Sequence, residues 1–231
     1  MGGLYYYGFD SLYLYLVVPA IIIALWSQIK VKTTFSKYSA YRTNINGADA
    51  ARRVLELNGV HGVKIERVSG KLTDHYDPRT NTIRLSESVC GSYSISAVGV
   101  AAHEAGHAVQ YAKGYFPIKL RSVILPVCNL GSQLSLPLLI IGLIFNFYFL
   151  VKLGVIFFCA AFIFQLLTLP VEFNASRRAL NALRDGAVPL TDNDIRYARR
   201  VLSAAAMTYV AAALVSLAQL IRLIALTGRK R

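Results

Sequence analysis

The chain contains few cysteines, few acidic residues and few histidines, and each shortage limits the kinds of site and function that the sequence can support. Its three cysteines, Cys90, Cys128 and Cys159, show no CxxC spacing, so the sequence predicts neither a disulfide framework nor a cysteine-rich zinc site. Walker-type phosphate loops, glycine-rich dinucleotide fingerprints and internal repeats are missing, and nothing indicates an ATP-driven machine. With only four histidines in the chain, any motif that holds two of them is informative.

Acidic residues are outnumbered by basic ones, 12 to 25, which gives a net charge of +13. The lysines and arginines flank apolar segments and do not form one stripe interleaved with aromatic residues. This placement favours contact with the anionic headgroups of a lipid bilayer over nucleic-acid binding. Hydrophobic residues make up 55% of the chain and the mean hydropathy is +0.46, both above the usual values for soluble proteins. The composition therefore predicts a membrane protein.

Four apolar runs predict four transmembrane helices, at residues 12–29, 122–145, 147–169 and 202–226. The first run has an aromatic edge that includes the tyrosines at positions 5–7, and no lysine or arginine occurs in the first ten residues. We expect this run to remain as an anchor, because it lacks the charged start and the cleavage site of a signal peptide. The second and third runs, separated only around Asn146, predict a helical hairpin.

The polar sequence falls into two blocks, which predict the elements around any site. In the first block, Asn46 is expected to cap a helix, residues 63–68 to form a strand, and residues 71–85 to form a β-hairpin before a serine-capped helix. In the second block, a helix is expected to begin after Pro170 and end at Arg184, and Thr191 with Asp194 predicts the cap of a last helix that runs into the fourth span.

The serine-capped helix carries the sequence HEAGH, an HExxH motif at residues 103–107. His103 and His107 are four residues apart, so both imidazoles project from one helical face and can bind one metal ion. Glu104 points aside, where it can accept a proton from water as a general base. The surrounding residues are small or apolar, and buried histidines without partners would be costly. We therefore predict one Zn²⁺ per chain at this motif.

A catalytic zinc needs a third protein ligand, and the sequence offers a distant glutamate. The metzincin extension fails, because Gln110 and Lys113 stand where its glycine and third histidine belong. Glu172 is the strongest candidate, in the predicted first turn of the helix that emerges from the third span. An acid at the edge of an apolar segment is costly unless it is paired or bound to metal. The alternative is that Glu172 binds no metal and is an acid at a helix N-terminus, where the helix dipole favours it.

Four segments together resemble the YugP-type neutral zinc metallopeptidases of bacterial membranes: LTDHYDPR at 72–79, RLS at 84–86, HEAGH at 103–107 and PVEFNASRR at 170–178. More distantly, the chain is similar to HtpX and the CAAX prenyl proteases, in which two histidines and a later glutamate bind zinc. The resemblance implies a four-helix membrane protease whose active site faces the cytoplasm. HtpX-like enzymes have an aspartate where Ser176 stands here, so Ser176, Asn174 or Asp74 is expected to accept a histidine N–H.

His75 lies on the predicted hairpin, where an edge strand could bind an extended peptide, and it is a candidate to stabilise the oxyanion or contact substrate. Tyr76 and Arg177 are alternative donors, and a surface role for His75 is an equally good interpretation.

The expected fold is a membrane α-helical protein of about four transmembrane helices with a small α+β zincin-like catalytic unit that carries the HExxH helix. The segments are an anchor at 1–29, the catalytic part at 30–121, a transmembrane hairpin at 122–169, the third-ligand helix at 170–200, and a last transmembrane helix with a basic tail at 201–231. Most lysines and arginines lie in the two polar blocks, which places those blocks and the active site on the cytoplasmic side of the cell membrane.

The sequence thus predicts a multi-pass zinc metalloprotease that cleaves protein or peptide substrates at the membrane surface. Two alternatives stay open: an intramembrane protease, although the later spans contain no acid, and a membrane scaffold or adaptor with a structural zinc site, which would not need Glu104. The sequence indicates no partner protein and no oligomeric state.

Overall fold

The computed structural model describes residues 11–228, and helices dominate this part of the chain. A π-helical turn at Tyr13–Val17 leads into the first α-helix. The elements in chain order are α1 (Val18–Ser39), α2 (Gly47–Leu57), β1 (Lys64–Val68), β2 (His75–Asp77), β3 (Thr82–Ser86), α3 (Glu87–Cys90), α4 (Ile95–Ala112), α5 (Phe116–Ile144), α6 (Tyr148–Arg184) and α7 (Asp192–Gly228).

Four of these helices are long and apolar enough to cross a membrane: α1 with its preceding turn, α5, α6 and α7. This confirms the prediction of four membrane-length apolar helices. Each helix extends beyond its predicted apolar run at one end or both, and α7 joins the last helix predicted for the second polar block to the fourth span without a break, as expected. The aromatic edge at positions 5–7 and the basic tail at 229–231 lie outside the described residues.

Within the described residues, one compact unit comprises residues 11–28, 120–169 and 208–228. Inside this unit, Val17 and Ala20 pack against Ala218, which joins the first and last apolar helices. The hairpin of α5 and α6 turns at Asn146, whose φ of 55° is a left-handed conformation that asparagine tolerates. The Ser135 hydroxyl donates to the Gly154 carbonyl at 2.9 Å, so this polar group is satisfied within the apolar unit.

The second compact unit comprises Ile29–Lys119 and Pro170–Met207, and it contains the sheet. The three strands are ordered β1-β3-β2, with β1 parallel and β2 antiparallel to β3. The strand order makes β2 an edge strand, on which His75 pairs with Arg84 of β3. The hairpin between β2 and β3 confirms the prediction, although its first strand begins at His75 and not at residue 71.

Helix α4 lies at the centre of this unit and is buried along almost its whole length. It begins as predicted with a serine cap, since the Ser94 side chain accepts the amide of Ala97. It ends at Ala112 with Lys113 as its C-cap, and Gly114 follows with a φ of 68°, which suits a helix terminus. Its small residues include Ala101, Ala102, Ala105 and Ala108, so neighbouring elements can pack closely around it.

The predicted helix boundary at Pro170 is wrong, because α6 runs without interruption from Tyr148 to Arg184. Proline removes one backbone N–H, but membrane helices tolerate this where neighbouring groups satisfy the freed carbonyl. Glu172 therefore lies inside a long helix and not in a first turn. The helix dipole cannot explain a buried acid at this position.

Candidate metal centre and catalytic residues

His103, His107 and Glu172 converge in the structure, although Glu172 is far from the histidines in sequence. The two histidines lie on one face of α4, with ring centroids 4.7 Å apart. Glu172 Oε2 on α6 is 3.3 Å from His103 Nε2 and 3.5 Å from His107 Nε2. The three donor atoms lie within 4.8 Å of one another, and the Glu172 side chain is 2% exposed. The chain thus brings all three sequence-predicted ligands together.

The donor set fits a catalytic zinc site. Two imidazole nitrogens and one carboxylate oxygen are a ligand set that binds catalytic zinc and leaves one position open. Two ligands bound to a tetrahedral zinc at about 2.1 Å would lie about 3.4 Å apart. The observed separations of 3.3 and 3.5 Å between Glu172 Oε2 and the two histidine nitrogens match that spacing.

Close approach of α4 and α6 makes this convergence possible, and Gly106 permits it. A Cβ atom at Gly106 would lie 2.6 Å from the Ala175 carbonyl oxygen and 3.2 Å from its carbon. Gly106 stands between the two histidines in HEAGH, and Ala175 follows Glu172 by three residues. The glycine of the motif therefore fixes the distance between the helix with the histidines and the helix with the glutamate.

Each histidine uses its second ring nitrogen in a contact that orients the ring. Ser176 Oγ lies 3.1 Å from His103 Nδ1, so of the three candidates Ser176 is the one placed to accept an N–H from His103. Asp74 instead accepts from the amide and hydroxyl of Ser86, at 2.7 and 3.0 Å. His107 Nδ1 lies 3.0 Å from Gln110 Oε1, a contact the sequence analysis missed. Its only signal in the sequence was an amide side chain three residues after His107 on the same predicted helix.

Glu104 is buried beside the metal centre, with a relative exposure of 8%. Burial raises the pKa of its carboxyl to about 7, while the charge of His103 opposes the shift and that of Glu172 adds to it. A carboxyl with a near-neutral pKa can both accept and return a proton under physiological conditions. The environment of Glu104 therefore suits an acid–base group.

The hairpin brings His75 into electrostatic range of Glu104, although the His75 side chain is exposed. His75 Nδ1 lies 2.8 Å from the Thr73 carbonyl oxygen, and because a carbonyl only accepts, this nitrogen carries the proton. The Tyr76 hydroxyl donates to Asn81 within the hairpin at 2.8 Å. Arg177 is exposed on α6. Of the three candidate donors to an oxyanion, Tyr76 thus already uses its hydroxyl proton in a hydrogen bond within the hairpin.

Comparisons with known proteins agree with this chemistry. A family model described as "Putative neutral zinc metallopeptidase" matches residues 13–228. The chain is 46% identical over 222 residues to the "Putative membrane protease YugP" of Bacillus subtilis (strain 168), and the match covers 94% of this chain and 98% of the relative. No solved structure matches the chain.

Proposed function

The chain belongs to this family of neutral zinc metallopeptidases, and from that premise we propose that it hydrolyses peptide bonds of proteins at the membrane surface. In this proposal His103, His107 and Glu172 hold one zinc ion and Glu104 is the general base. The observation that carries the proposal is the meeting of two imidazole nitrogens and one buried carboxylate oxygen at separations typical of a shared tetrahedral ion.

When bound, zinc supplies a Lewis acid that polarises water and the substrate carbonyl. Glu104 then removes the proton from the attacking water, and it returns that proton to the amine that leaves when the peptide bond breaks. Its burial keeps the carboxyl basic enough to take the proton and acidic enough to give it back. Ser176 holds the His103 ring throughout, so the ligand does not have to reorient between steps.

An extended substrate would bind along β2, which lies at the edge of the sheet. Adding a strand at this edge satisfies the backbone hydrogen bonds of a peptide without regard to its sequence. His75 stands at the start of β2 and would meet the substrate there. Since its Nδ1 donates to Thr73, its Nε2 can donate to an oxyanion only when the ring is protonated. We assign His75 a role in contacting the substrate or stabilising its oxyanion.

The proposed position is a multi-pass membrane protein whose active site faces the cytoplasm. The basic residues concentrate in the two polar blocks between the spans, as the positive-inside rule requires of cytoplasmic segments, and they would contact anionic headgroups. A scaffold with a structural zinc site is not favoured, because such a site would have no use for the buried acid Glu104. An intramembrane protease is not favoured either, because α4 packs against the sheet within the second compact unit.

Substitution of the third ligand tests the proposal. We expect detergent-purified wild-type protein to retain about one zinc per chain and to cleave an unfolded test protein. Glu172→Gln should lose both properties, because a neutral amide is a weaker zinc ligand. Glu87→Gln is the matched control, since Glu87 is an exposed acid paired with Arg67 at 3.0 Å. Retention of zinc and activity by Glu172→Gln would reject Glu172 as a ligand.

A further inference from the structure

Gln110 connects the two helices that supply the proposed ligands. It lies on α4 three residues after His107 and is completely buried. Its amide nitrogen donates to the Val171 carbonyl at 2.8 Å and to Asn174 Oδ1 at 3.0 Å, both on α6. Val171 directly precedes Glu172. One side chain on the histidine helix therefore holds the helical turn that carries the glutamate.

The orientation of the Gln110 amide is fixed by groups that have only one possible role. A backbone carbonyl only accepts, so the group facing Val171 must be the NH₂. Arg178 Nε, which only donates, lies 2.8 Å from Asn174 Oδ1, so the Asn174 atom facing Gln110 is an oxygen. Both contacts require the same orientation of the Gln110 amide. Its Oε1 therefore faces His107.

The tautomer of His107 follows from this orientation. An amide oxygen accepts but does not donate, so His107 Nδ1 must carry the hydrogen in the 3.0 Å contact with Gln110. The Nε2 atom of a neutral His107 then keeps its lone pair, and it lies 3.5 Å from Glu172 Oε2. A histidine binds metal through the nitrogen that carries no hydrogen.

We propose that Gln110 is a positioning residue for the metal centre, which selects the metal-binding tautomer of His107 and holds the turn of α6 that carries Glu172. The inference rests on the proposed function, since it assigns the role of Gln110 through the same three ligands. Gln110 is not one of the three proposed ligands, and its side chain contacts His107, the Val171 carbonyl beside Glu172, and Asn174.

Ser96 provides a matched control on the same helix. It is also completely buried, and its hydroxyl donates to the Phe35 carbonyl at 2.7 Å, again linking α4 to another helix. Ser96→Ala therefore removes a buried side-chain hydrogen bond from α4 at a residue with no role in the metal centre. A general loss of stability should affect Ser96→Ala and Gln110 variants alike.

Two measurements test the role of Gln110: zinc affinity by competition with a chelator, and the histidine tautomer by ¹⁵N NMR of the metal-free protein, with signals assigned through His107→Gln. We expect Gln110→Met to bind zinc 10 to 100 times more weakly, a range typical for the loss of a group that orients a ligand. It should also lose the exclusive Nδ1–H signal of His107. Ser96→Ala should retain the wild-type affinity and tautomer.

Gln110→Glu separates the two actions of the side chain. A carboxylate still accepts from His107 Nδ1, but it cannot donate to the Val171 carbonyl. We expect this variant to keep the wild-type tautomer while its zinc affinity falls. Wild-type affinity together with a wild-type tautomer in Gln110→Met, or an equal loss of affinity in Ser96→Ala, would overturn the inference. Wild-type protein that binds no zinc would instead refute the proposed function, and the tautomer of the metal-free protein would still decide the role of Gln110.

Discussion

The substitution Gly106→Ala puts the packing of α4 against α6 to a direct test. Its new Cβ would lie 2.6 Å from the Ala175 carbonyl oxygen, whereas ordinary contact begins near 3.4 Å. The obstacle is backbone, which cannot rotate away as a side chain can. The two helices must therefore separate locally by about 0.8 Å to accept the methyl group, the difference between those two distances.

A shift of this size matters more for the metal centre than for the fold. Overpacking of a core costs roughly 1–3 kcal/mol, and the higher helix propensity of alanine offsets up to about 1 kcal/mol of that. Functional sites tolerate displacements of only about 0.5 Å. Because the histidines lie on one helix and Glu172 on the other, we expect Gly106→Ala to fold but to bind zinc at least about tenfold more weakly.

Gly99→Ala is the matched control, because Gly99 is a second buried glycine on the same helix. Its nearest obstacle would be the Ala198 Cβ at 3.6 Å, an ordinary contact. We expect Gly99→Ala to keep the wild-type zinc affinity and to raise the midpoint of thermal unfolding slightly. Chelator competition and thermal unfolding of both variants in detergent supply the comparison. If Gly106→Ala bound zinc as tightly as Gly99→Ala, the role assigned to Gly106 would be refuted.

Two further predictions concern the hairpin. Hydrogen bonds from Arg84, Arg79 and Thr80 lower the pKa of Asp77 to about 2 from an ordinary value of 3.8. The charge of Asp77 therefore stabilises the fold above about pH 4, and this stabilisation is lost as the pH falls towards 2. The midpoint of thermal unfolding of Asp77→Asn should therefore change less between about pH 4 and pH 2 than that of wild type. If the two midpoints fell in parallel with pH, this prediction would be wrong. His75→Leu should lower kcat by about 100-fold with zinc content unchanged, since leucine cannot donate a hydrogen bond to the oxyanion and His75 is not a metal ligand. If the variant kept the wild-type kcat in steady-state peptide cleavage, His75 would have no role in stabilising the oxyanion.

Local patterns in the sequence predicted local structure well. Asn46 caps α2, accepting the amide of Asp49 at 2.9 Å, and Ser94 caps α4, because short polar side chains satisfy the free amides of a helix start wherever they precede an apolar run. Apolar length alone identified the four membrane-length helices. These features depend on neighbours within a few residues, so a single sequence contains the information they need.

Apart from Glu172, which the need for a third ligand and the cost of an acid beside an apolar run had indicated, features that depend on contacts between distant segments could not be predicted. Pro170 indicated a helix start because proline breaks isolated helices, yet tertiary surroundings allow α6 to continue through it. Gln110 was not predicted to orient a ligand, since its partners on α6 follow it by about sixty residues. The resemblance to HtpX-like enzymes gave Ser176 as one of three candidates, and only the packing of α4 against α6 showed which of them lies beside a histidine.

The central claim is that Glu104 performs the chemistry at a zinc site which other residues build. Paired measurement of zinc content and proteolysis for wild type and Glu104→Gln tests it most directly, because Gln preserves the size of the buried side chain but cannot take a proton. We expect both proteins to hold about one zinc per chain and only wild type to cleave an unfolded protein. Equal cleavage by both, or a zinc content in wild type near zero under non-chelating conditions, would contradict the account.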